Sequence, residues 1–336
     1  MNLVVGFITY NDNSSKYLSK FWPSLEKSLE KFGMDYSVIV WDNSDNNNLA
    51  NQVFFENKAV DYIKSSNNIG FSAAYNKMIS KSIDLGAEYF LMINPDTLVD
   101  ENAIKYSLET ISSDKKIAAV VPKILRWDFE ENKKTEIIDS KGLIIDNKQR
   151  FFDAHQGEID DDKIELYQVF GFSGAAVFLS LVAIKEISFS EGEYLDELIF
   201  MYKEDADLSF RLFLAGYKTI YDSRATVYHD RTASPAGEGI GQIIANRRNK
   251  SRLVKTWSFR SQLIIAHRYI RLKLPFFYKV RIISYQIQSI LYTLVFETYL
   301  LKELKLFISN LSEMNTKRNG LLVKVDFADF LKIAKK

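Results

Sequence analysis

Five short apolar runs, at residues 3–9, 36–41, 60–64, 89–93 and 117–121, punctuate the first 125 residues of the chain. They are rich in Val, Ile and aromatic side chains, the pattern of parallel strands buried on both faces. Between them the apolar spacing is helical. Tyr17, Phe21, Leu25 and Leu29 recur at every fourth position, and Ala74, Met78, Ile79 and Ile83 share a face ahead of the stop signal Gly86. Repeated strand–helix–strand units build a doubly wound sheet, which binds ligands beyond the carboxyl ends of its strands. The expected fold class is α/β, and the polar residues that end these strands are the first candidates for a site.

Further along, residues 126–165 are charged and irregular, with Ile137-Ile138 and Leu143–Ile145 marking a small hairpin or insertion. Residues 167–179 read as β-like, broken by Gly171 and Gly174. Residues 203–215 read as an amphipathic helix closed by Gly216, and two strands follow at 218–221 and 225–229. Beyond residue 240 the pattern turns helical, basic and aromatic. The expected organisation is a catalytic domain over residues 1–240 and a mostly helical, basic C-terminal region over 241–336.

The net charge of +1 conceals an asymmetry. From Ala245 onward there are 19 Lys and Arg against 5 Asp and Glu, whereas the first 244 residues hold 25 basic and 38 acidic residues. Such a basic block points to an anionic partner, membrane lipid or nucleic acid, or to docking against the protein's own acidic half. Nucleic acid is disfavoured, because the acidic first part opposes a polyanion and the tail is apolar for that role. Leu263, Ile264, Ile270, Leu272, Leu274, Phe276, Phe277 and Tyr278 lie among Arg268, Arg271, Lys273, Lys279 and Arg281. A surface of that kind can lie in a membrane interface, or pack on the catalytic domain or in a dimer. The uncharged stretch 282–296 is shorter than the roughly 20 residues a spanning helix needs. There is no cysteine, so disulfides and thiolate metal sites are excluded. With no secretory signal read at the N-terminus, the chain is expected to be cytoplasmic, with peripheral attachment to the inner face of the membrane.

Several polar groups close the predicted strands. The first ends in Thr9-Tyr10-Asn11 and the second in Asp42-Asn43-Ser44. A strand-end aspartate can accept the imide N–H of uracil or thymine while a tyrosine packs on the ring; the same residues also form ordinary turns. Asn68, Gly70 and Asn76 belong to a glycine-containing loop that opens a helix, where free amides suit a diphosphate or a plain cap. The fourth strand runs into Asn94-Pro95-Asp96, two oxygen ligands that can hold Mg²⁺ or Mn²⁺. Glu204, Asp205 and Asp207 enter a helix, as dipole partners or with one of them as a general base. His229 ends a further strand and could ligate the metal or contact phosphate; His155 and His267 lack such a neighbourhood.

In this order the motifs resemble family 2 inverting glycosyltransferases of the GT-A fold. They are Thr-Tyr-Asn, Asp-Asn-Ser, Asn-x-Gly-Phe-x-x-Ala-x-Asn from Asn68, Asn-Pro-Asp, Gly-Ala at 174–175, the acidic stretch from Asp196 to Arg211, and His-x-x-x-x-Ser from His229. Within that group the chain is most similar to bacterial rhamnosyltransferases, over roughly residues 1–255. The resemblance implies a GT-A, Rossmann-like mixed sheet. It implies that Thr9, Tyr10, Asn11, Asp42 and Asn43 hold the nucleobase side of a nucleotide sugar, with Asn68, Gly70, Asn76, Asn94 and Arg248 near the nucleotide and diphosphate. Asp96, Asn94 and His229 would bind Mg²⁺ or Mn²⁺, Asp205 would be the base, and Glu204 would support it. Asn-Pro-Asp stands where the family usually has Asp-x-Asp.

The implied function is transfer of a sugar, L-rhamnose from dTDP-L-rhamnose, to a hydroxyl of a lipid-linked glycan in bacterial cell-surface polysaccharide synthesis. The alternatives are a UDP-hexose or UDP-galactofuranose donor on the same fold, or a non-catalytic nucleotide-sugar-binding protein. The partners are the dTDP- or UDP-sugar, the glycan acceptor, an anionic membrane surface and a second copy of the chain, with no nucleic acid.

Overall fold

A computed structural model of the 336-residue chain describes residues 2–46, 49–231 and 251–326. The five predicted strands are present as β1 (Leu3–Thr9), β2 (Tyr36–Asp42), β3 (Asp61–Lys64), β4 (Tyr89–Ile93) and β6 (Ile117–Asp128). The helices read between them are α1 (Asn11–Phe32) and α3 (Phe71–Asp84); the short α2 (Ala50–Phe55) precedes β3, and α4 (Ala103–Ser112) precedes β6. The short strand β5 (Thr97–Val99) lies just beyond β4.

β3, β2, β1 and β4 run parallel, in that spatial order. The antiparallel strand β11 (Ala176–Ser180) pairs β4 and joins it to β6; β6 lies parallel to β12 (Lys218–His229), and β10 (Leu166–Val169) closes the row. The sheet is therefore mixed, with ten strands among the described residues. Residues 218–229, expected as two strands, form one strand with a shift in register between Asp222 and Thr226. The polar residues that suggested a break form a bulge, in which Asp222 is buried and accepts hydrogen bonds from Thr110 Oγ1 (2.6 Å) and Arg224 Nε (3.0 Å).

Both faces of the sheet are covered, which is why its strands read as unbroken apolar runs. Leu3, Val5 and Phe7 pack with Phe21 and Leu25 of α1 and Ile104 of α4 on one face. Val4, Phe90 and Met92 pack on the other with Tyr75 and Met78 of α3 and with Leu208 and Leu212 of α6 (Glu204–Leu214). Gly6 has no room for a side chain, since a Cβ there would lie 2.3 Å from the Phe90 ring.

Residues 126–165 are more ordered than expected. β7 (Lys133–Ser140) pairs β6, and β8 (Leu143–Ile145) pairs β9 (Phe151–Asp153) in a separate small ladder. Beyond residue 251 the chain is helical: α7 (Arg252–Tyr269), α8 (Phe276–Phe296), α9 (Leu301–Ser309) and α10 (Leu311–Asn319), after α5 (Leu181–Glu186) and α6. The boundary expected near residue 240 lies outside the described residues.

α7 docks on α6, with the Phe210 and Tyr269 rings stacked 4.0 Å apart. Arg268, grouped by sequence with a membrane-facing surface, is instead 1% exposed and ion-paired to both Asp196 and Asp207, each fully buried. Asp207 also accepts from Arg211 Nε (3.0 Å) and the Tyr269 hydroxyl (2.8 Å), and Asp196 from Lys317 Nζ (2.7 Å) on α10. Leu263, Ile264 and Leu274 are buried as well. The Arg268 side chain thus docks against the protein's own acidic part, because two carboxylates at the α6 side need a buried cation. Removing one partner of such a cluster leaves uncompensated buried charge. Arg268→Ala is expected to cost about 3–5 kcal/mol of stability, read as a lowered midpoint in urea denaturation.

Candidate active site

Sheet register brings the distant motifs together. Thr9 of β1 stands beside Asp42 of β2, and β5 pairs antiparallel with the end of β12, Thr97 opposite His229. The second pairing places Asp96 against His229 and Asp230, with the Asp230 amide donating to the Asp96 carbonyl (2.9 Å). An open cavity of about 670 Å³ lies at this end of the sheet. Its wall includes Asn94, Asp96, Glu204, Asp205 and His229, so five of the residues singled out by sequence converge there. Ser173, Gly174 and Ala175 complete one side.

His229 has its two ring nitrogens in different settings. Nδ1 is 2.9 Å from Asp139 Oδ2, and Nε2 is 3.6 Å from Asp96 Oδ2. Burial would lower the pKa of His229, but Asp96 and Asp139 together raise it to about 10. Asp96 Oδ1 is buried with no hydrogen-bond partner. Among the described residues no group of three or more His, Asp or Glu forms a complete metal cage. The pair does offer an orphaned carboxylate oxygen and an imidazole held from behind by a carboxylate, the usual outer-shell support of a metal-binding histidine. A divalent cation that completes its shell with phosphate fits those donors.

The start of α6 is shaped by backbone. Tyr202 and Lys203 both adopt left-handed φ values, 68° and 72°, costly for non-glycine residues. Packing from α7 sustains this turn: Trp257 stacks on Phe200 (5.2 Å) and Tyr202 (6.3 Å), and Lys203 Nζ donates to Gln262 Oε1. The result sets Asp205 in the cavity wall, its Oδ2 accepting from the Gly174 amide (2.9 Å) and its Oδ1 from the Ala206 amide (2.7 Å). Burial pushes Asp205 up to about 6, against these two amides and aided by the charge of Asp153. Glu204 is pushed well above the ordinary carboxylate range by burial and by Asp205, and its Oε2 has no partner. The adjacent carboxyls therefore differ: Glu204 is pushed well above the ordinary carboxylate range, and Asp205 to about 6.

The residues expected around the nucleobase form a separate polar network that does not line the cavity. Asp42, 1% exposed, accepts from Thr9 Oγ1 (3.1 Å), the Ser44 amide and hydroxyl, Tyr62 (2.6 Å) and Lys64 (2.9 Å). Burial would raise its pKa, but these donors outweigh it and hold the carboxyl below its usual value. Tyr10 and Asn11 both donate to Asp45, and the Asn11 amide donates to Ser44 Oγ. Asn43 ties the Trp41 indole to the Ile69 amide and the Gly70 carbonyl. Asn68 accepts from the Gly70 amide, and Gly70, with φ 89°, would meet Phe200 if it carried a Cβ. Asn76, expected near the diphosphate, is buried and answers the Tyr194 and Leu195 amides, the Leu195 carbonyl and Glu197. All four of its hydrogen-bonding positions hold the 194–197 segment instead. Arg248 lies outside the described residues.

Sequence reasoning passed over Tyr17, Asp139, Asp153, Asp230 and Arg231. The Tyr17 hydroxyl donates to Asp230 Oδ2 (2.5 Å), and Arg231 Nη1 joins Asp153 (2.7 Å) to Asp139 (3.3 Å). Asp139 is buried, yet His229 and Arg231 keep its pKa low against that burial. Asp230 and Arg231 could have been suspected as immediate followers of His229 at a strand end. Nothing in the charged segment 126–165 distinguishes Asp139 or Asp153 from its neighbours.

Fold and site together describe a GT-A type α/β protein with an acidic cleft at its strand ends. Residues 5–186 match the family described as Glycosyl transferase family 2, and the chain belongs to that family. No curated protein matches the sequence. Among solved structures, GalNAc-T7 with UDP, GalNAc and Mn²⁺ is 14% identical with a TM-score of 0.60, covering 99% of this chain and 57% of that one. S. aureus TarS is 14% identical with a TM-score of 0.51, covering 85% and 43%. The mannosyltransferase PcManGT from Pyrobaculum calidifontis, with GDP-Man and Mn²⁺, is 12% identical with a TM-score of 0.51, covering 93% and 75%. The chain thus spans about half the length of the first two, and at these identities the likeness is one of fold.

The orphaned carboxyl of Glu204 has a measurable signature. Unfolded, it ionises near its ordinary pKa; folded, it keeps its proton to higher pH. Stability is therefore lost as pH rises above about 4.5, by up to ~1.4 kcal/mol per pH unit, until the folded group also ionises. Glu204→Gln is expected to be more stable than the parent at pH 8, with the difference vanishing near pH 4, in denaturation series across pH.

Proposed function

We propose that this chain is an inverting glycosyltransferase that moves a sugar from a nucleotide donor to a hydroxyl of a glycan acceptor. The observation that carries the reading is Asp205, a carboxyl titrating near 6 in the same cavity wall as Asp96 and His229. A group with that pKa is largely ionised at neutral pH and still basic enough to take a proton. In the proposed step the acceptor oxygen bonds to the anomeric carbon as the bond from that carbon to the diphosphate oxygen breaks. The hydroxyl proton passes to Asp205, and the nucleoside diphosphate departs from the opposite face with the bonding pair. One displacement inverts the anomeric configuration.

Gly174 and Ala206 orient the Asp205 carboxylate through their amides, and the neighbouring Glu204 is pushed toward its neutral form. Asp96 and His229, with Asn94 beside them, are the residues that would hold a divalent cation. Their mix of oxygen and imidazole suits Mn²⁺ better than Mg²⁺, and two of the fold neighbours were solved with Mn²⁺. When bound, such an ion neutralises charge gathering on the leaving diphosphate, a contribution of several kcal/mol. Asp139 would fix the ring of His229.

For the donor, the Asn-Pro-Asp motif and its neighbours favour dTDP-L-rhamnose, with UDP-galactofuranose and UDP-hexoses as the competing choices. An acceptor carried on a lipid diphosphate, as in cell-surface polysaccharide assembly, would bring the enzyme to the inner face of a membrane. A screen of nucleotide sugars for donor hydrolysis or thermal stabilisation, with and without Mn²⁺, tests the donor. The largest response is expected from dTDP-L-rhamnose, and a response confined to UDP-hexoses would overturn that choice.

Asp205→Asn is expected to slow transfer by about 10²–10⁴-fold while donor affinity stays near that of the parent; transfer at the parental rate would remove Asp205 from the role. In the parent, kcat/KM should rise with pH and level off above about 6, since the base must be ionised. Asp96→Ala is expected to weaken donor binding and to abolish any dependence on Mn²⁺, measured by calorimetric titration of donor with and without the ion.

A further inference from the structure

Helix α8 has one side against the protein and one side against nothing. Ile282 and Thr293, three turns apart, are fully buried. Roughly opposite, at 100° per residue, an unbroken apolar stripe formed by Phe276, Val280, Ile283, Ile287, Leu291 and Leu294 faces solvent, with exposures from 44% to 74%. Apolar stripes of this length are normally covered. α8 contains no acidic residue, and Lys279 and Arg281 border the stripe on its two sides.

Several basic side chains elsewhere in the C-terminal helices are answered from within. Arg268 and Lys317 pair with Asp196, Lys255 with Glu297, and Arg260 with Glu303. No such ion pair reaches Lys279 or Arg281 among the described residues. Lys279 and Arg281 thus leave positive charge for an outside partner along the edges of the bare stripe.

We infer that α8 is an interfacial membrane element, lying flat on an anionic lipid surface with its stripe in the acyl boundary and Lys279 and Arg281 reaching the headgroups. Apolar body with basic edges is the arrangement that settles in such an interface. Among the described residues no helix is long and apolar enough to cross a membrane, so α8 would lie in the surface. A second copy of the chain fits less well: α8 carries no carboxylate, so a two-fold contact along the stripe would leave Lys279 and Arg281 of both copies unanswered by the facing helix. The inference deepens the reading of a lipid-linked acceptor and depends on it only for its purpose.

The test is co-sedimentation of the full chain with phosphatidylcholine vesicles, with and without about one third phosphatidylglycerol, in the absence of donor and acceptor. Failure here is thus separate from failure of the transfer assay. At low salt, binding to the anionic vesicles is expected to exceed binding to neutral ones by tenfold or more, each basic residue near the surface contributing roughly fivefold. Lys279→Glu with Arg281→Glu should remove most of that preference, and Ile287→Ser with Leu291→Ser should weaken binding to both vesicle types. Donor hydrolysis by each variant should stay at the parental rate, which checks that it has folded. Equal partition of the parent onto neutral and anionic vesicles would overturn the inference. So would failure to bind either, together with a dimer in sedimentation velocity that Ile287→Ser with Leu291→Ser dissociates.

Discussion

Three residue pairs of antiparallel ladder, between β5 and the end of β12, decide whether this cleft exists. Asp96 lies between β4 and β5, while His229 comes 133 positions later, and only the pairing of Thr97 with His229 puts imidazole beside carboxylate. The parallel core of the sheet delivers polar strand ends to one edge. The short antiparallel return then folds one of those ends against another, a contact that the repeating β-α-β pattern does not provide.

The acidic segment 196–207 shows how environment, and not residue type, assigns a role. Asp196 and Asp207 face α7 and α10, where Arg268 and Lys317, together with Arg211 of α6 itself, neutralise them, and they act as anchors. Glu204 and Asp205, between them in sequence, face the cavity with no ion pair among the described residues, and both are pushed toward the neutral form. The left-handed turn at Tyr202 and Lys203 makes the division, and stacking on Trp257 helps to hold it. The C-terminal helices therefore support the cleft as well as covering α6. Ser258 of α7 lines the cavity itself.

The C-terminal region also divides its own charge. By composition it is a single basic block, but its cations do not all serve one end. Arg268 of α7 and Lys317 of α10 close on the buried carboxylates Asp196 and Asp207. The edges of α8 remain outside, next to apolar side chains that water covers poorly.

The strand and helix positions were legible because period and burial are local properties. β1 and β4 were read at their observed limits, and Gly86 and Gly216 marked helix ends through their positive φ. The cleft residues Asn94, Asp96, Glu204, Asp205 and His229 were legible because they fall at strand or helix ends, where a doubly wound sheet collects its ligands. Sequence alone determined these elements and placed the candidate carboxylates at their ends. Tertiary structure decided which carboxylates are neutralised, that Asp42 and Asn76 are consumed by internal donors and acceptors, and that Asp139 stands behind His229. The reason is physical: charge state and hydrogen-bond saturation depend on neighbours in space, and those neighbours can lie far off in sequence, as Lys317 lies 121 residues from Asp196.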